Sequence, residues 1–496
     1  MEKKAWSDRI PEKKYPLFVF FLIAFLFLSL FSWSTSPFYV YDGMDSAVFK
    51  TMGQALLKGK IVYKDIFDHK GPYLYFINAL GQWLIPGHMG IFLLQVVSLG
   101  IALWYMFRTV NLLLSPFRSF ICVLLSLFIL AGHINDGNQC EEWMMYAICI
   151  AFYYVCFYFV QKSRQDHPLR NSLIYGLCFG FSFFIRPNDA VAWIGGLMAG
   201  LSAWLIFRKK YKNLILNILC FIGGFSLMAT PILIYFGLYH ALSDMWYGLI
   251  EFNIEYSGGI VSLIQSCLTK RKLFSLFLFV LLFLLIYTTK HRSLLFIITP
   301  SLVSAVLLMG SRVYPHYFIC FTPFFLLFFC FLFHKFQNNY WVPVIVCTFL
   351  LLGGYYNKRY HVITPSIIQW YSVGHRAIYQ QSNRLFDHIP ECEKDSIWNN
   401  NLSWEGRGDG NGFESYFSIF CHHGIIPCNR ITIGTNTELG NKDRISQHHP
   451  KWIISQSYSW LQKNTFKEDS LYIISHYDVV DSFDIEVGDI VLLKRR

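Results

Sequence analysis

The fold class this sequence predicts is an α-helical polytopic membrane protein with a small α/β domain at its C-terminal end. Three observations carry the prediction. Hydrophobic residues make up 54% of the 496 residues and charged ones only 15%, with a mean hydropathy of +0.38; an ordinary soluble chain is nearer a quarter charged. The apolar residues also arrive in long blocks, such as 17–31 and 273–287, and a span of the hydrocarbon core needs about 20 mostly apolar residues. After about Asn357 the composition changes to that of a soluble domain.

The apolar segments in order are 17–33, 89–107, 117–132, 143–161, 172–186, 189–207, 214–236, 273–289, 294–310, 316–334 and 340–356, which makes about eleven spans by length. The start, 1–14, is polar and basic, and the apolar run after it lacks a small-residue cleavage site. It therefore reads as a retained first span and not as a removed signal peptide. Lys and Arg accumulate in cytoplasmic loops. With the N-terminus inside, the inner loops hold Arg108, Arg118, Lys162, Arg164 and the basic runs near 208–212 and 290–292. The outer short loops hold only Arg186 and Arg312, with 270–272 ending a longer one. That orientation places the C-terminal domain outside. It also accounts for much of the net charge of +11, and since no nucleic-acid module accompanies the charge, no nucleic-acid partner is expected.

Three regions then face the exterior. The loop 34–88 contains two semi-apolar segments, 46–57 and 73–84, whose length suits helices lying in the interface. The second region is 237–272. The third is the tail, 357–496, where apolar runs at 452–454, 471–474 and 490–493 alternate with turns, one helix is expected near 367–386, and 399–412 reads as loop. Most cysteines sit in apolar runs, where Cys is a small hydrophobe. No CxxC pair is present, so nothing indicates a zinc site.

Chemistry-bearing residues gather at outer span ends. Asp45 follows the first span; a carboxylate there can serve as a general base or hold a metal, or it can cap the helical pattern that starts after it. Asp65, Asp68, His69 and Lys70 crowd six residues before Gly71-Pro72 breaks the chain. Lys is a compact charge suited to phosphate, although the same cluster could be a solvated turn. Glu141 and Glu142 open a helix after a short loop, where the helix dipole favours acids. Arg186-Pro187 stands at an outer helix end, and Arg312, Tyr314, His316 and Tyr317 form a similar group. Mid-span charge is almost absent, which argues against an ion or proton relay across the bilayer.

Asp45, then Gly53, Gly59, Tyr63-Lys64-Asp65 and Asp68-His69-Lys70-Gly71-Pro72, resembles the first outer loop of the GT-C glycosyltransferases. The nearest group is the bacterial membrane mannosyltransferases and aminoarabinose-transferase-like enzymes, related to protein O-mannosyltransferases. The Glu141/Glu142 loop, the Arg186-Pro187 end and the Tyr314–Tyr317 segment fall where that group has further motifs. The resemblance implies a GT-C fold and transfer of a sugar, with inversion, from a polyprenyl-phosphate donor to an acceptor hydroxyl on a glycan, lipid or protein. It implies a bacterial inner-membrane location with the tail periplasmic, in contact with membrane lipids. Asp45 would be the general base or would orient the acceptor, and Lys70 and Arg186 would bind the donor phosphate. Asp68, Glu141 and His316 would shape the sugar and acceptor pockets, with Asp42, Asp65, His69, Glu142 and Tyr317 around them. Many relatives carry an acidic pair where this chain has Asp45-Ser46, so a second acid would come from Asp42 or Glu141, and a divalent cation stays an open expectation. An envelope-glycan ligase or polymerase and a lipid-linked glycan flippase are the rival functions; a flippase should show polar spans and matching halves, and the sequence has neither.

Overall fold

A computed structural model describes residues 17–38, 43–134, 137–256, 270–308, 314–336, 341, 345, 348, 380–400, 418–428, 445–456, 467–485 and 488–496. The chain is mostly helical. Among the described residues, five helices are long and apolar enough to cross a membrane: Met89–Val110, Cys140–Lys162, Pro187–Phe207, Tyr211–Leu238 and His316–Lys335. Shorter apolar helices cover Leu17–Phe31, Pro116–Ala131 and Arg292–Leu308, and Leu169–Phe183 and Lys270–Tyr287 are helical as well. The segment 340–356 lies almost wholly outside the described residues.

We label Leu17–Phe31 α1, Met44–Leu57 α2, Pro72–Leu84 α3, Met89–Val110 α4, Pro116–Ala131 α5, Cys140–Phe157 α6, Leu169–Phe183 α7, Pro187–Phe207 α8 and Tyr211–Leu238 α9. Helices α3, α5 and α8 each begin with a proline, whose missing N–H costs nothing in the first turn. Helices α7 and α9 pack backbone to backbone. A Cβ on Gly176 would lie 2.1 Å from the Phe221 carbonyl oxygen, and one on Gly224 would lie 2.2 Å from that of Leu173. Small residues at facing positions let the backbones touch, as is usual where lipid supplies no hydrophobic drive. Just before α7, buried His167 joins this pair: its ring nitrogens lie 2.8 Å from Asn217 Oδ1 and 3.2 Å from the Tyr175 hydroxyl. Burial pushes that imidazole down to about 4, so it is neutral at physiological pH.

The two semi-apolar segments within 34–88 are helices, α2 and α3, but α2 is enclosed instead of lying on a surface. Its Ala47, Phe49, Met52 and Ala55 are buried, and even Lys50 is only 3% exposed, its ammonium donating to the Ser34 carbonyl. Helix α3 covers α2 with Leu74, Tyr75, Asn78 and Ala79, leaving Leu80, Trp83 and Leu84 exposed. Gly53 permits this close approach, since a Cβ there would lie 2.7 Å from the Ala79 nitrogen.

In the tail, residues 380–387 are helical; the rest of the helix expected at 367–386 lies outside the described residues. Four strands follow: β1 Ile397–Asn400, β2 Trp452–Gln456, β3 Tyr477–Ile485 and β4 Gly488–Arg495, in the order β1-β2-β4-β3. β1 runs parallel to β2, and β4 runs antiparallel to both of its neighbours, with Trp452 opposite Lys494 and Tyr477 opposite Arg495. Two expectations are corrected. The run 471–474 lies in the helix Lys467–His476 and not in a strand, because an apolar run of four fits either state and Glu468 and Asp469 ahead of it suit a helix N-terminus. Asn399 and Asn400, read as loop, belong to β1, where the Asn400 amide donates to Ser455 Oγ at 3.0 Å; residues 401–412 lie outside the described set. The tail is seated on the end of α2: the helix Ser418–His422 packs against it, Gln54 donates to the Cys421 carbonyl at 3.3 Å, and Lys58 pairs with Asp395 at 2.8 Å. The apolar cores of tail and bundle are continuous there, through Ala55, Phe386, Ile419 and Phe420.

Candidate active site

The site is assembled from four segments: 58–71, the start of α6, the turn into α8 and 314–317. After α2 the chain reverses through 58–71. The carboxylate of exposed Asp65 accepts the Ile61 N–H at 2.8 Å, so it ties the turn locally. Tyr63, at φ 69° in the left-handed region, aims its hydroxyl at the Lys70 carbonyl. Residues 68–70 then form a chain of polar contacts. The Tyr75 hydroxyl donates to Asp68 Oδ2 at 2.8 Å, Asp68 Oδ1 lies 3.3 Å from His69 Nδ1, and His69 Nε2 lies 2.7 Å from Lys70 Nζ. Burial works against charge on Asp68, but bonding from His69 and the nearby Lys70 hold its carboxyl below the usual range. Burial and then Lys70 push the His69 imidazole down. Burial and the nearby Arg186 oppose charge on Lys70, yet the carboxylates of Asp68 and Asp45 favour it, and its ammonium is raised. The proton therefore resides on Lys70.

Gly71 joins this loop to the end of α7. Its N–H donates to the Ile185 carbonyl at 2.8 Å and the Tyr73 N–H to that of Phe184 at 3.0 Å. A Cβ at position 71 would lie 2.1 Å from the Phe184 oxygen. Gly71→Ala must therefore push the two loops apart. Overpacking of this kind costs about 1–3 kcal/mol, and the variant is expected to melt earlier in detergent and to lose any activity that needs Lys70 beside Arg186; a melting temperature equal to that of the parent would refute the seam.

That seam delivers Arg186. The residue is extended (φ −155°, ψ 101°), as the following proline requires. Its guanidinium pairs with Glu141 Oε1, stands 3.2 Å from Asp189 Oδ2 and lies 4.0 Å over the ring of Tyr317. Asp189 Oδ2 is within ion-pair distance but has no hydrogen bond among the described residues. His316 is fixed by its neighbours, its ring stacked 5.5 Å from Tyr314 and 4.8 Å edge-on from Tyr317, while its buried Nδ1 likewise has no hydrogen-bond partner among the described residues.

Glu141 and Glu142 part company. Glu142 closes a capping box by accepting the Gln139 N–H at 3.1 Å, and its other oxygen takes the Gln95 amide at 3.1 Å. It borders a small cavity with Leu28, Ser98 and Trp143, not the Arg186 cluster. Asp45 lies in the first turn of α2 and does not cap it: the cap is Gly43, with no side-chain bond. Its neighbour Ser46 accepts from Asn138, whose amide also donates to Asn78 and whose oxygen takes the Trp143 N–H. Asp45 stands near enough for its charge to act on His69 and Lys70 in its own loop and on His316 across the bundle. Asp42 and Arg312 lie outside the described residues. Sequence reading missed Asp189, Tyr75 and Asn138. Asp189 was findable, because a residue three beyond Arg186 on a helix start faces it; the other two only gain meaning from the fold.

The described acids do not compose a cation cage. Both Asp68 oxygens are engaged, Glu141 and Asp189 face Arg186, and among the described residues no three His, Cys, Asp or Glu side chains converge.

No family model matches the chain, and no curated protein does. Among solved structures it is similar to the oligosaccharyltransferase of Archaeoglobus fulgidus tethered with an acceptor peptide: 10% identity, TM-score 0.49, over 98% of this chain and 74% of that one. The apo form of that protein gives 11% identity and TM-score 0.47 over 95% and 72%. The archaeal oligosaccharyltransferase AglB from Archaeoglobus fulgidus, in complex with an inhibitory peptide and a dolichol-phosphate, gives 10% and 0.48 over 98% and 74%.

Proposed function

We propose that this chain is an inverting glycosyltransferase of the GT-C kind, moving a sugar from a polyprenyl-phosphate donor to an acceptor hydroxyl at the outer face of a bacterial inner membrane. The observation that carries the reading is the seam in which the Gly71 N–H donates to the Ile185 carbonyl at 2.8 Å, which places the residue after Lys70 against the residue before Arg186 and so gathers two cations from separate loops. On this reading the eleven spans of the sequence hold the site at the membrane boundary, where a lipid-linked donor arrives from the bilayer, and the tail faces the acceptor, whether glycan, lipid or protein.

The reaction balances with these groups. The acceptor oxygen attacks the anomeric carbon from the face opposite the phosphate, and its proton passes to Asp45. The bond from anomeric carbon to phosphate oxygen breaks, and its electron pair leaves with the polyprenyl phosphate. The charge growing on that phosphate is met by Lys70 and Arg186, which are held in place before the reaction and need no reorganisation. Glu141 and Asp189 orient Arg186, and His316 and Tyr317 wall the pocket.

The test is an assay of the full chain in vesicles with a panel of radiolabelled undecaprenyl-phosphate sugars. Loss of sugar from one donor, with inverted linkage in the product and release of undecaprenyl phosphate, is the expected result. Movement of intact donor between leaflets without cleavage would overturn the proposal in favour of a flippase.

A further inference from the structure

Asp68 and His69 look from the sequence like pocket residues, but their bonding leaves them no hand free for a substrate. Asp68 is 1% exposed; one oxygen accepts from the Tyr75 hydroxyl and the other faces His69 Nδ1. His69 has two ring nitrogens, and the second faces Lys70 Nζ at 2.7 Å. An ammonium only donates, so Nε2 is the acceptor and the imidazole carries its proton on Nδ1, pointed at Asp68. The backbone around them is clamped from outside the loop as well. Asn253 donates to the His69 carbonyl at 2.8 Å, Tyr63 to the Lys70 carbonyl, the Lys70 N–H donates to the Tyr75 hydroxyl at 2.9 Å, and the Gly71 N–H donates to Ile185. Phe252 packs its ring 5.3 Å from that of His69.

We infer that Asp68 and His69 are positioning residues: the carboxylate fixes the imidazole, the imidazole fixes one N–H of the Lys70 ammonium, and the remaining two N–H groups are thereby aimed at the phosphate of a lipid carrier. The inference rests on the reading above that Lys70 meets that phosphate. A flexible lysine stem has much rotamer freedom to lose on binding, and His69 removes part of it in advance. A neutral histidine suits the task, since a protonated ring would repel the ammonium, and the downward push on His69 and upward push on Lys70 agree with that assignment.

The experiment measures binding of undecaprenyl phosphate and of uncharged undecaprenol to the full chain in detergent micelles, for the parent, K70M, H69A, H69Q and the double variant H69A/K70M. K70M and H69A are each expected to weaken undecaprenyl phosphate binding about tenfold or more, the range for hydrogen bonds to charged groups. The double variant should be no weaker than K70M, and H69Q, whose amide oxygen can accept from Lys70, should recover most of the loss. Undecaprenol binding should not change in any of them. Additive losses in the double variant, an equal loss of undecaprenol, or no loss in H69A would each overturn the positioning role. No loss in K70M would instead remove the phosphate reading itself.

Discussion

Asp45→Asn is expected to slow sugar transfer by about 10²–10⁴-fold, the range for removing a general base, while the protein still inserts and folds. The substitution is nearly isosteric, and the side chain makes no capping bond that the helix would lose. What disappears is the negative charge and the ability to take the acceptor's proton. The favourable interaction of that charge with the N-terminus of α2 is worth only about 0.3–1 kcal/mol, so the melting temperature should move little. The decisive comparison is single-turnover transfer in vesicles beside donor binding: the rate falls and donor affinity does not. Unchanged transfer would remove Asp45 from the mechanism.

Arg186→Ala should have the other large effect, and on two quantities at once. Glu141 and Asp189 are 1% and 6% exposed, and both lean on this guanidinium. Removing one partner of a buried ion pair costs about 3–5 kcal/mol, because the remaining charge is left uncompensated. The variant should express poorly and melt early, and the surviving protein should bind undecaprenyl phosphate weakly. Arg186→Lys should not repair it. A lysine carries the charge but lacks the planar fork that meets two acids and lies flat on the Tyr317 ring. A triple change that also neutralises the acids, Arg186→Met with Glu141→Gln and Asp189→Asn, separates the effects: thermal stability returns and phosphate affinity does not.

How far the sequence foretells this arrangement differs from residue to residue. That acids and cations gather at outer span ends is visible directly, since a charge inside an apolar run is rare enough to stand out. Which of them meet is not. Glu141 and Glu142 are neighbours in the chain, yet successive helix positions point about 100° apart, so one faces Arg186 and the other faces Gln95 on α4. Lys70 and Asp68 are visible as a cluster, but the roles of the cluster depend on Tyr75, one helical turn further on, and on Asn253, far along the chain. The interfacial reading of α2 fails for a related reason: its length and apolarity suit a surface helix, and only the presence of α3 and the tail on either side shows that it is enclosed. The misassigned run at 471–474 is too short for its periodicity to separate strand from helix.

Helix α2 carries Asp45 in its first turn and ends beneath the tail, where Gln54 and Lys58 engage Cys421 and Asp395. At 14 residues it is about 21 Å long, and along its length Lys50 is fastened to the chain after α1, Gln82 of α3 holds the Lys50 carbonyl, and Ser46 is pinned by Asn138. Mechanically this is a braced push-rod without a joint. Whatever docks against the tail and tilts it has a stiff linkage to Asp45 at the far end, so a load on the tail would move that carboxylate with no slack between them.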